Sequence, residues 1–295
     1  MMKHPYSPDI EPRRLQFVLP ENPDKYWHSN SAIKTYHFNA LAIFLPQLEK
    51  MLVLSLKKAL TDINCPKLKA EVASLVAQEA IHGKAFARYS EQIVFKHYHC
   101  PRQYSLWLFR GLAGIINQFT TQFHYALSAA GEHFTAIAAD LFLREPKWFE
   151  EVDPVHSAIW RWHCIEEIEH KSVAFDVYQA TNGSYFTRLL GMLMMTLFFM
   201  VLYIKPIWFM MKQDNNHTNW DFYRRSFSYY WGKGGLFRAL WKPYWDYFKP
   251  SFHPSKHQNE NLILQWKAYF RSQSLEQVSQ GLQLTEPPLN QQTLT

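Results

Sequence analysis

Apolar positions recur at helical spacing through most of the first 180 residues. The spacing predicts a helix from about Ile33 to Leu60, with a turn at Cys65-Pro66. A second is predicted from Lys67 to about Lys96, where Ala, Leu, Glu and Gln dominate. Tyr98 to Arg102 interrupts it, and a third is predicted over about Gln103 to Leu143, kinked near Gly111 or Gly114. Glu145-Pro146 ends that helix. Pro154 suits the first turn of a fourth, which reaches about Tyr178 and closes at Thr181-Asn182-Gly183. At ~1.5 Å per residue each is long enough to cross a bundle. No strand alternation, internal repeat or low-complexity tract competes with this pattern.

Each predicted helix carries an acid inside an otherwise apolar stretch. The first holds Glu49, the second Glu79 and His82, the third Glu132, and the fourth Glu167 and His170. The order is Glu, Glu-x-x-His, Glu, Glu-x-x-His, with steps of 30 residues from Glu49 to Glu79, 50 from His82 to Glu132 and 35 from Glu132 to Glu167. Steps of 30 and 35 suit hairpins that return to one height in a bundle, and 50 suits a longer crossover. Residues i and i+3 share a helix face, so Glu and His there can hold one metal together. Four carboxylates neutralise most of the charge of two divalent ions. Oxygen ligands with imidazole suit iron, or manganese or a mixed pair, better than thiolate-seeking metals. This is the ligand pattern of ferritin-like dimetal carboxylate bundles. A single Glu-x-x-His on a helix arises readily by chance; two of them with two lone Glu in this order do not.

Glu167 is preferred to Glu166 as the ligand because it repeats the Glu79–His82 spacing. His163 falls on one stripe with Glu167 and His170, either as a third imidazole ligand or as a buried histidine behind the ligands. Asp140, Glu166 and Asp176 are placed to accept the far N–H of a ligating histidine, or are ordinary helix-end acids. Glu169 and His133 are expected to face away, and Cys164 to be a small core residue.

The segments 37–50, 78–86, 132–136 and 162–178 resemble a bacterial family of predicted metal-dependent hydrolases, over about residues 10–270. The chain departs from that family's flavour at Pro46-Gln47-Leu48-Glu49, where Pro-x-Gly-Glu is usual, but keeps the Glu. The resemblance implies hydrolysis through a name that itself rests on metal binding. The run His163, Glu167, His170 is also similar to that of arylamine N-oxygenases, ferritin-like di-iron enzymes, and this likeness implies oxygen activation.

Composition sharpens the outline. Only 10 of 295 residues are Gly, which argues against a turn-rich β fold, while 17% are aromatic and can fill a core or coat an apolar surface. Cys65, Cys100 and Cys164 form no CxxC and no disulfide framework, which points to a reducing, cytoplasmic compartment. No signal-peptide run opens the chain. Net charge is +6, and between Arg188 and Lys249 nine Lys or Arg face three acids, so the excess sits in the last third. Beside it, residues 189–204 are sixteen without a charge, broken by Lys205-Pro206 and followed by Trp and Tyr among the cations. That mixture is what a membrane interface selects, so lipid rather than nucleic acid is the expected partner, with attachment to the cytoplasmic face of the inner membrane through about 189–211. A buried helix or a homodimer contact are the other readings of the segment.

The expected architecture is all-α: an irregular arm over 1–30, a ferritin-like four-helix bundle over 31–182, a hydrophobic fifth helix and C-terminal helical appendage over 183–272, and a disordered tail over 273–295. The expected activity is O₂ activation by two iron ions, oxidising a hydrophobic small molecule near a membrane with electrons from a donor protein. The alternative is a dinuclear hydrolase of an ester or phosphoester, and the third reading is a non-enzymatic iron-binding protein.

Overall fold

A computed structural model of the chain describes residues 10–99, 106–107, 109–111, 114 and 118–272; the expected tail over 273–295 lies outside the described residues. The fold is all-α, and among the described residues the only β pairing is one bridge between His28 and Val152.

Helix α1 (Ala32–Asp62) opens on Ser31, whose hydroxyl accepts from the Lys34 amide. A three-residue link leads to α2 (Pro66–Tyr89), which starts on Pro66 and runs on through a π-helical turn (Ser90–Val94) and a last short helical piece (Phe95–His97). The two helices pack along one another as a hairpin. The third predicted helix is interrupted: the described residues 106–107, 109–111 and 114 are helical, 118–120 are not, and the helix resumes at Thr121. Helix α3 (Thr121–Arg144) begins where the Thr120 hydroxyl accepts from the Phe123 amide, 3.3 Å away, because that cap satisfies a first-turn donor and fixes the start there. Half of the predicted span before it, 103–105, 108, 112–113 and 115–117, lies outside the described residues.

The fourth predicted helix is two. Helix α4 (Pro154–Glu169) is capped by Asp153, and α5 (Val173–Ala180) follows after a break at His170, which sits at φ −106°, ψ 9°. The imidazole of His170 is held inward by Glu132, while the ammonium of Lys171 reaches outward to Asn259 and the carbonyl of His257. Helix α6 (Tyr185–Gln213) continues without a break past Lys205 and Pro206. It lies over α1 and α3, and Gly191 permits the approach: a Cβ there would stand 2.8 Å from that of Ala126. Helices α7 (Trp220–Trp231), α8 (Leu236–Asp246) and α9 (Glu260–Ser272) complete the described residues; α8 packs on α3 and α9 on α4.

Residues 10–30 are irregular, yet they are part of the packing. Leu15, Phe17 and Trp27 are buried, and His28 Nε2 bonds the carbonyl of Trp148 at 2.9 Å.

Candidate metal centre

Helix geometry delivers the predicted chemical groups to one volume. Glu49 comes from α1, Glu79 and His82 from α2, Glu132 from α3, and His163 and Glu167 from α4, with His170 at the break behind it. All seven are at most 4% exposed. Burying that many carboxylates in an apolar bundle is costly unless opposite charge joins them. Two groups could each hold an ion, their ligand atoms lying within 4.8 Å of one another: Glu49, His82, His163 and Glu167, and Glu79, His82, Glu167 and His170. His82 and Glu167 are common to both. Glu132 belongs to neither.

Glu132 and Glu166 instead hold the two histidines of the Glu-x-x-His pairs. His170 Nδ1 lies 2.8 Å from Glu132 Oε2, and His82 Nε2 lies 3.0 Å from Glu166 Oε2. In each ring the second nitrogen, His170 Nε2 or His82 Nδ1, is buried and makes no hydrogen bond. A carboxylate bonded to one nitrogen, with the other left without an aligned hydrogen bond among carboxylate oxygens, is the arrangement that orients a histidine toward a metal. Glu49 Oε2, both oxygens of Glu79, Glu132 Oε1 and Glu167 Oε1 are likewise buried without a hydrogen bond. His170 Nε2 and Glu79 Oε1 are 3.0 Å apart without the alignment of a hydrogen bond. Two ligands side by side on an octahedral ion at ~2.1 Å stand about 3 Å apart, so this spacing suits atoms that share a cation. The donor set, carboxylate and imidazole without thiolate, fits a divalent metal pair.

Electrostatics without a cation are those of paired ions. Burial would depress His82, but its contacts with Glu166, Glu167 and Glu79 hold it well above the usual histidine range. His170 is raised in the same way, burial being outweighed by Glu132, Glu167 and Glu79. Glu79 and Glu167 lie below the usual carboxylate range: burial pushes both up, and the neighbouring imidazoles outweigh it. Glu132 goes the other way, burial raising it to about 8 despite His170.

Two expectations are corrected. Asp140 does not serve a site histidine: four residues from Arg144 on the same helix, it bonds that guanidinium at 2.7 Å. Asp176 does not either, since it faces His253 Nε2 at 2.9 Å, outside the cluster. Three further supports were not among the expected residues. Arg13 of the arm contacts Glu166 at 3.2 Å and Glu169 at 2.7 Å, Lys267 approaches Glu169 at 3.8 Å, and the Trp162 indole donates to Glu166 at 2.9 Å. Only Trp162, four residues before Glu166 on one helix face, was open to sequence reasoning.

An apolar cavity of about 380 Å³ reaches the cluster. His163, Cys164 and Glu167 line its inner end, and Met200, Trp231, Trp241 and Trp245 are among the residues at its outer end. Among the described residues no Lys or Arg lines it.

Fold and site together define an all-helical protein with a buried carboxylate–imidazole cluster able to hold metal. The chain belongs to the family described as predicted metal-dependent hydrolases, whose model matches residues 11–258. No curated protein and no solved structure matches the chain.

Proposed function

We propose that this protein is a dinuclear metal-dependent hydrolase that cleaves a carboxylic ester of an apolar molecule. The observation that carries the metal is the pair His82 and His170, each fixed by a carboxylate on one nitrogen and turning the other, without an aligned hydrogen bond, toward the buried oxygens of Glu79 and Glu167. The family description supports hydrolysis. The cavity supports an apolar ester over a phosphoester, because the described residues that line it are largely aliphatic and aromatic and include no Lys or Arg to meet a phosphate. The ligands would be Glu49, Glu79, His82, His163, Glu167 and His170, with Glu132 and Glu166 orienting the histidines. When bound, the metal pair supplies Lewis-acid polarisation of a carbonyl and a water made acidic enough to attack at neutral pH. The protein's own part is positioning. Phe44, Leu48, Phe142 and Trp160 enclose the apolar part of the substrate and exclude bulk water, and His163 and Glu167 stand where the cavity meets the cluster.

The second reading, O₂ activation by a di-iron pair, is favoured by the same carboxylate–imidazole donors and by a cavity that offers almost no polar handle on its occupant. Anaerobic loading of the purified protein separates the two. Cleavage of a p-nitrophenyl acyl ester without O₂, increasing with acyl length and absent from metal-free protein, is the expected result. No ester cleavage, with stoichiometric O₂ uptake by the ferrous protein, would replace the hydrolytic reading with the oxidative one.

A further inference from the structure

Three helices leave apolar stripes uncovered. On α6, Leu190, Leu193, Leu197, Met200, Ile204 and Trp208 follow at steps of three and four, and each is more than 40% exposed. On α7 the stripe is Trp220, Tyr223, Phe227 and Trp231, and on α8 it is Trp241 and Trp245. The stripes are continuous. The ring of Trp231 stands 5.8 Å from that of Trp241, which stands 5.6 Å from that of Trp245, and Met200 joins these three around the cavity mouth. An apolar patch of this extent marks an interaction site.

Charge identifies what covers it. Lys205, Lys212, Arg224, Lys233, Arg238, Lys242 and Lys249 are all exposed among or beside these aromatics. Arg238, Lys242, Trp245 and Lys249 fall at i, i+4, i+7 and i+11, a single face of α8 and the turn beyond it. Of the cations in this region Arg188 is the exception, buried among Phe175, Tyr185 and Tyr247. A second copy of the chain would bring like charges together across this face. An anionic bilayer complements both features, since Trp and Tyr settle at the headgroup level and Lys and Arg meet the phosphates. Helix α6 is long and apolar enough to cross a membrane. Its other face, however, is committed to protein: Met192, Met195, Phe198 and Leu202 are buried and Tyr203 bonds His37. That geometry suits a helix lying in the interface plane.

We infer that the exposed face of α6, α7 and α8 docks on an anionic lipid bilayer, and that the cavity opening there admits a lipid-dissolved substrate directly to the cluster. The docking stands on the surface alone; the substrate route rests on the proposed hydrolase reading. Leu193 and Leu197 are exposed and do not line the cavity, so the doubly substituted Leu193→Glu, Leu197→Glu protein should fold and load metal as the wild type does.

The test is flotation of the full chain with vesicles of phosphatidylcholine alone or mixed with phosphatidylglycerol. Wild type should float with the mixed vesicles and be released by salt, and the double variant should bind at least about tenfold more weakly. The variant should still cleave a short soluble ester at the wild-type rate while losing activity on a long-chain ester embedded in vesicles. Absence of flotation, equal binding to uncharged vesicles, or unchanged binding of the variant would overturn the docking. So would a stable dimer that the variant dissociates and that ignores vesicles. If neither protein cleaves any ester, the hydrolase reading fails and flotation still decides the docking.

Discussion

The two Glu-x-x-His histidines differ in kind from other buried histidines of this protein. His28, His37 and His156 are held neutral: burial lowers the first two to about 3 and the third to about 4. In the unfolded chain each returns to about 6.5. Below that value the unfolded state takes up protons that the folded state refuses, so stability is full above pH ~6.5 and is lost as pH falls toward 4. Each should cost about 1.4 kcal/mol per pH unit across that window. Helical circular dichroism should therefore show cooperative acid unfolding above pH ~4, whereas helicity retained to pH ~3 would count against three neutral buried imidazoles. His82 and His170 are fixed by Glu166 and Glu132. Glu166→Gln and Glu132→Gln should each weaken metal binding about 10- to 100-fold in chelator competition while leaving the stoichiometry intact. A loss of bound metal outright in Glu132→Gln would make Glu132 a direct ligand.

At the scale of elements, much was legible and the exceptions have physical causes. The first two helices follow apolar periodicity, and the Glu and Glu-x-x-His positions could be read because helix spacing fixes which residues share a face. The break at His170 was not legible, since nothing in its local sequence ends a helix; it arises from contacts to Glu132 on α3 and from Lys171 to the segment before α9. The start of α3 depends on which of the adjacent Thr120 and Thr121 caps it, and a capping hydrogen bond is invisible to periodicity. Asp140 and Asp176 had suitable spacing but nearer partners in Arg144 and His253. The packing of α6 on α3 turns on Gly191, where any side chain meets Ala126. Gly191→Val should lower stability by about 1–3 kcal/mol, read from chemical denaturation. A neutral outcome would mean that α6 can ride off α3 freely.

Across the whole molecule, the arm over residues 10–30 binds distant parts together in a way no local pattern announced. Arg13 joins two buried acids of α4, one of which orients His82. Arg13→Ala should leave Glu166 and Glu169 short of charge and destabilise the fold by about 3–5 kcal/mol, eased where Lys267 remains near Glu169. Thermal melting would show the fall, together with weaker metal retention through Glu166. Melting and metal retention both unchanged would reduce the arm to decoration.

The account stands on two ions sharing one buried volume among four helices. Anomalous diffraction at the metal edge, on crystals of anaerobically loaded protein, reads this directly. Two peaks about 3.5–4 Å apart, enclosed by Glu49, Glu79, His82, His163, Glu167 and His170, are predicted. A cluster without a peak in fully loaded crystals, or metal bound only at the surface, would contradict it.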